Sequence, residues 1–432
     1  MINTKYVRDN IDAIKESLAR RKSNYPINRL IELDLEYRRM QTEMQEMQAK
    51  QNKASLKISE MKKKGDNASD SIEALRSIKE KIEQLEAQMP SYKNEIEELL
   101  FSMPNILHKS VPIGKDDSEN IVIRTSGIPK TPIDSMSHDE ILLNHDLIDL
   151  ERAAKVAGAR FFYLKNDLVL LEQALINFTL DKLYKKGYTL ISPPFMMRKE
   201  YYRGVTALGD FEDALYKVSE PKEAGNVKDY EKMDNELFMI STAEHPLAAM
   251  YAGEVIDAKN LPIKLAGISP CFRREAGSHG KDTKGIFRTH QFYKIEQFIF
   301  SDQERSWNYF EEMLANSEEI FRELGIPYRV VNVCTGDLGV VAAKKYDIEG
   351  HMPRQQKYRE LVSCSNCTDW QSSRLDIKYE EKGERKYVHT LNSTGIATGR
   401  AMVGIIENYT EDRGIIHVPD ALVKYIGKRT IG

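Results

Sequence analysis

Two long runs of heptad periodicity constrain what the N-terminal part of this chain can become. Apolar residues recur at alternating steps of three and four at Leu30, Leu33, Tyr37, Met40, Met44, Met47, Ala54, Ile58 and Met61, with Gln51 as the interruption. Gly65-Asp66-Asn67 breaks the pattern. A second run then carries Ile72, Leu75, Ile78, Ile82, Leu85, Met89, Tyr92, Ile96 and Leu99. Two heptad helices joined by a tight turn bury their seams against each other, which predicts an antiparallel coiled-coil hairpin over about residues 27–100. Arms of roughly 35 residues would reach about 50 Å.

The hairpin is polarised. Lys50, Lys53, Lys57, Lys62, Lys63 and Lys64 crowd the tip against Glu60 alone, while Glu32, Asp34, Glu36, Glu95, Glu97 and Glu98 gather at the base. A charge run is ordinarily a solvated face, and on the hairpin alone that is the better reading. A protruding arm with lysines at one end also fits a reader of a phosphate backbone.

With 432 residues the chain has room for two or three domains. Its formal net charge of -3 marks no global nucleic-acid binder, so such contacts would come from local patches. No apolar run approaches the ~18 residues of a membrane span, and residues 1–20 are charged and amphipathic, unlike a signal peptide. Four cysteines in so long a chain suit reduced thiols in the cytoplasm.

Residues 1–22 read as a short helix and 104–137 as a proline-rich linker. A globular domain runs over 138–432, behind an N-terminal domain of 1–103. In it, 167–187 is an amphipathic helix followed by a strand and Ser192-Pro193-Pro194. Strands, hairpins and flanking helices predict an α+β fold with a largely antiparallel sheet. Its most informative stretch is Leu265–Phe300. Apolar Leu265–Ile268 and alternating Phe292–Phe300 suit two strands. Between them lies a loop with Gly277, Gly280, Gly285, Arg273, Arg274, Lys281, Lys284 and Arg288. A basic, flexible loop between strands suits a polyphosphate, and arginines at the strand bases suit bidentate clamping of its oxygens.

In its details, FRREAGSHGKDTKGIFRTHQFYKIEQF, this stretch resembles motif 2 of the class II aminoacyl-tRNA synthetases, and among them the seryl-tRNA synthetase family. The helix, strand and proline at 167–194 resemble motif 1, the dimer-forming element. Gly395-Ile396-Ala397-Thr398-Gly399-Arg400 resembles motif 3. The resemblance implies a homodimeric ligase that converts ATP and L-serine to seryl-adenylate and transfers the seryl group to the 3′ end of tRNA(Ser). A selenocysteine tRNA is left open as a further acceptor. It also turns the hairpin into the tRNA-binding arm, with Lys50, Lys53, Lys57, Lys62, Lys63 and Lys64 as its contacts. A ligase that loads a carrier protein is the alternative; such relatives lack the long arm.

The resemblance implies roles residue by residue. Arg273 would meet the α-phosphate and the substrate carboxylate, Glu275 the adenine amino group, Arg288 the γ-phosphate, and Thr289 the nucleotide through its backbone. Phe292 and Arg400 would cover the two faces of adenine, with Arg274, Leu361 and Val362 also at the ATP. Glu360 and Ser363 would hold Mg²⁺ on the phosphates. For serine, Thr242-Ala243-Glu244 resembles the binding triplet: Glu244 would pair the ammonium, Glu296 accept from the hydroxyl, and Thr394 close the pocket. Such a site rejects analogues lacking the hydroxyl by leaving buried polar groups unpaired. Cys364-x-x-Cys367 has no second ligand pair, and no structural zinc is expected. Arg274, His351 and Ser393-Thr394 depart from the family pattern without removing a residue assigned to chemistry.

Overall fold

The computed structural model describes residues 4–131, 136–207, 214–218, 236–275, 285–411 and 414–432. The chain divides into two compact units, 2–104 and 105–432. Gly277, Gly280, Lys281 and Lys284 of the basic loop lie outside the described residues, as does Pro132 of the linker.

The first unit begins with two short helices, α1 (Thr4–Asp9) and α2 (Ile11–Arg20), where the sequence suggested one. The arm follows as α3 (Ile27–Lys64) and α4 (Ser69–Ser102). Gly65 ends α3 with φ of 79°, a left-handed conformation that glycine adopts without a Cβ penalty. Leu30, Leu33, Met40 and Ile58 on α3 and Ile82, Leu85, Ile96 and Leu100 on α4 are buried; Ile72 near the tip is exposed instead. Arg29 grips Glu95 through two hydrogen bonds of 2.8 and 3.0 Å, which helps fix the register of the pair. Pro90 sits inside α4, costing one backbone bond, yet the helix continues through it.

The second unit is built on eight strands: β1 (Ile121–Ser126), β2 (Thr189–Ile191), β3 (Ile263–Phe272), β4 (Gln291–Ser301), β5 (Tyr328–Asn332), β6 (Lys344–Met352), β7 (Lys357–Asn366) and β8 (His389–Ala397). Their order is β1-β5-β6-β7-β8-β4-β3-β2, with every pairing antiparallel except β2 with β3. Residues 104–137, read above as linker, therefore contribute the edge strand β1. Asn392–Gly395 lies within β8.

One face of the sheet carries α5 (Asp167–Lys185), α7 (Ser306–Glu323) and α8 (Thr398–Tyr409) over a core containing Leu171, Leu175, Ile295, Ile299, Met313, Phe321 and Met402. The period of two on β4 sends Phe298 and Phe300 to the other face, into a second cluster with Phe238, Tyr202 and Leu247. There the short helix α6 (Glu244–Ala249) lies against β3. Gly267 permits that approach, because a Cβ there would stand 2.8 Å from both Ala243 Cβ and Leu247 Cδ1. Gly267 pairs with Glu296 in the β3–β4 ladder, so this glycine lets α6 sit beside Glu296. No helix among the described residues is long and apolar enough to cross a membrane.

Candidate active site

Alternation on β4 puts Phe292, Lys294 and Glu296 on the face opposite the main helices. The ladder aligns Glu296 with Thr394 and Asn392 with Ser365. Asp347 stands opposite Ser363 on β6. A register shift between Ile348 and Glu349 leaves Leu361 without a ladder partner. That irregularity re-aims the strand: Leu361 and Val362 both enter the core, while Ser363 lines a cavity and Glu360 pairs with Arg400.

Two cavities meet here, and Arg273 lines both. The first is lined by Arg273, Glu275, Phe287, Arg288, Thr289, Phe292, Ala397, Gly399 and Arg400. Strand β3 ends at Phe272, so Glu275 is off the strand rather than on its face, with φ of 49°. Its carboxylate is paired with Arg288, Oε2 to Nε at 3.2 Å. The Arg273 guanidinium lies 5.2 Å from the Phe292 ring centroid and donates to the Ser241 carbonyl at 3.3 Å. Arg400 lies 5.2 Å from the centroid of Phe287 and donates to the Glu360 carbonyl at 2.8 Å. Phe287, to which the sequence reading gave no role, is thus a second aromatic wall.

The second cavity encloses about 420 Å³ and is lined by Ser241, Thr242, Glu244, His245, Arg273, Lys294, Glu296, Ser363, Ser365, Cys367 and Asn392, among others. Glu244 accepts from Gln371 at 2.9 Å and Asn392 at 3.1 Å. Burial and the neighbouring Glu296 push its carboxyl up to about 7 against the pull of Lys294 and Arg273. Burial likewise raises Glu296, although Lys294 contacts it directly. Burial, Arg273 and Lys294 lower His245 to about 3, leaving a neutral ring whose Nδ1 is 2.9 Å from the Tyr202 hydroxyl.

Glu360 lines neither cavity, and its side chain is half exposed beside Arg400. Desolvation of its carboxyl by the surrounding chain opposes ionisation, but Arg400, Lys345 and Arg273 outweigh that and hold it below the usual carboxylate range. Burial raises Asp347 to about 7, and its Oδ1 is buried without a hydrogen-bond partner. Carboxylate and hydroxyl oxygens of this kind suit a hard divalent ion. Among the described residues no group of three or more His, Cys, Asp or Glu could hold a metal ion, so an ion here would draw on the ligand's oxygens too.

Not every residue singled out from the sequence lines a cavity. Arg274 is exposed and lines neither. Leu361 and Val362 are core residues and line neither cavity, and Ala243 packs in the second cluster. Thr394 is buried beside Glu296, while Asn392 provides the lining from β8. Cys364 and Cys367 are buried thiols raised by burial; the Asn392 amide lies 3.5 Å from Cys367 Sγ. The six tip lysines of the arm are all exposed, and among the described residues none is in an ion pair.

Residues 1–107 match the model of the seryl-tRNA synthetase N-terminal domain, and 216–409 that of the class II tRNA synthetase core domain (G, H, P, S and T). The chain is 46% identical to the serine–tRNA ligase of Thermococcus sibiricus, covering 100% of this chain and 97% of that one. The crystal structure of seryl-tRNA synthetase from Pyrococcus horikoshii complexed with ATP superposes with a TM-score of 0.91 at 43% identity, over 100% of this chain and 99% of that one. The cytoplasmic serine–tRNA ligase of Naegleria fowleri in complex with AMP gives 0.86 at 36%, over 99% and 96%.

Proposed function

The chain belongs to the seryl-tRNA synthetases of class II, and on that premise we propose that it activates L-serine with ATP and passes the seryl group to the 3′ end of tRNA(Ser). The observation that carries this reading is Arg273, whose side chain lines both cavities at once. A guanidinium there faces a nucleotide α-phosphate from one side and an amino-acid carboxylate from the other.

ATP occupies the first cavity, its adenine between the Phe292 side and the Phe287–Arg400 side, with the amino group toward Glu275. Arg288 meets the γ-phosphate. Serine occupies the second cavity, its ammonium on Glu244 and its hydroxyl on Glu296 beside Thr242. The serine carboxylate attacks the α-phosphorus in line; a new O–P bond forms as the bond to pyrophosphate breaks. Arg273 stabilises charge on the phosphorus oxygens as they become more negative. A hydroxyl of the terminal tRNA ribose then attacks the seryl carbonyl, and AMP leaves.

Glu360 and Ser363 would hold Mg²⁺ arriving with ATP, with Asp347 behind them; the ion would supply charge neutralisation on the phosphates. The exposed lysines of the arm tip would bind the tRNA backbone. Exposed Val169 and Leu170 on α5 and Leu190 on edge strand β2 support a homodimer through these elements. Four buried, free cysteines support a cytoplasmic setting. The test is serine-dependent ATP–pyrophosphate exchange, then charging of tRNA(Ser), a selenocysteine tRNA and a carrier protein in parallel. Exchange without charging of any tRNA would overturn the second half of the reading.

A further inference from the structure

A lysine is unexpected in a pocket that must welcome an ammonium. Lys294 is nevertheless buried in the second cavity, two residues from Glu296 on the same face of β4. Its ammonium contacts Glu296 Oε2 and lies 3.4 Å from Thr242 Oγ1, which is itself 3.4 Å from the same Oε2. The three side chains form a closed triangle. Among the described residues no other hydrogen bond reaches this carboxylate, so Oε1 is left for a ligand.

We propose that Lys294 is a positioning residue for serine selection, which keeps Glu296 a carboxylate and turns its Oε1 to the substrate hydroxyl. The proposal rests on serine being the substrate. A buried carboxyl with no cation beside it takes up a proton, and a neutral carboxyl accepts a hydroxyl hydrogen bond more weakly. The groups facing Glu296 define what else could serve. Arg273 and Cys271 come from the β3 end, Glu244 from α6, Cys364 from β7 and uncharged Thr394 from β8. Arg273 is engaged with Ser241 and faces the nucleotide cavity as well, so Lys294 is the cation dedicated to Glu296.

The test is the ratio of kcat/KM for serine to that for alanine in ATP–pyrophosphate exchange, followed from pH 6 to pH 9. Both amino acids use Glu244 for their ammonium, so the ratio isolates the hydroxyl. In Lys294→Met the ratio at pH 6 should fall about tenfold relative to the wild type and recover toward it by pH 9. Lys294→Gln keeps a donor to Thr242 without the charge, and it should follow Lys294→Met. ATP affinity and the melting temperature check that each variant folds. A ratio lowered equally at every pH, a Lys294→Gln that behaves as wild type, or a loss that falls on ATP would overturn the proposal. If the wild type does not exchange with serine, the substrate reading itself has failed.

Discussion

Glu244→Gln should abolish serine use while stabilising the free enzyme. Burial and Glu296 push the Glu244 carboxyl up to about 7. Relative to the ordinary value of 4.5, that displacement costs on the order of 3 kcal/mol of folding stability at pH 8, at about 1.4 kcal/mol per pH unit. The sign follows from proton binding. The folded state holds the proton more tightly than the unfolded chain, so the cost is absent well below pH 4.5, grows as pH rises, and is complete above 7. Glutamine removes the charge and can still accept from Gln371 and Asn392. Thermal melts at pH 8 should therefore show Glu244→Gln several degrees more stable than wild type, with the gap closing by pH 5. Serine-dependent exchange should fall by two orders of magnitude or more. In the wild type, kcat/KM for serine should decline toward tenfold per pH unit below about 7, with ATP affinity flat. A serine profile without that limb, or a Glu244→Gln no more stable than the wild type at pH 8, would refute the reasoning.

Arg273→Ala should lower exchange by a factor of about 100 to 1,000 with little change in melting temperature, because a preorganised donor to the developing charge is lost. Near-normal exchange by the folded variant would count against it. Gly267→Ala forces α6 outward, so KM for serine should rise while KM for ATP holds; equal changes in both would place the strain elsewhere. Replacing residues 27–100 by a short linker should leave exchange nearly unchanged and collapse tRNA charging. Lys62, Lys63 and Lys64 changed together to Glu should do so more mildly, and wild-type charging should weaken with salt. Parallel loss of exchange and charging in the deletion would make the arm structural.

The arm was legible because each of its helices carries its heptad period within itself, and the β3–β4 hairpin because its alternation is intact. Strand β1 was not. Ile121, Val122 and Ile123 are all exposed, so no alternation marks them, and their partner β5 lies some 200 residues away. The kink in β7 was equally hidden, since only the ladder reveals that Leu361 is unpaired. Lys294 and Asp347 look like ordinary charged residues in the sequence; burial beside Glu296 and Ser363 is what gives them meaning. Phe287 was passed over because its contacts, Arg359 and Arg400, are distant in the chain.

Where the groups sit bears on which property each can control. Glu296 is on β4 and Asn392 on β8, both within a hydrogen-bonded ladder. Arg273, Glu275 and Arg288 lie just beyond the strand ends. A hydroxyl is told from a hydrogen by a fixed acceptor, and a ladder holds one to within a fraction of an ångström. Phosphates are larger and multiply charged, and Coulomb attraction to several arginines tolerates looser placement. On the function proposed above, the acceptor for the serine hydroxyl is held within the sheet, and the arginines that meet the phosphates stand at its margin. Arg273 is bonded to Ser241 beside the serine-side residues and reaches the nucleotide cavity. Among the described residues it alone lines both cavities, so a disturbance in either half reaches the other through it.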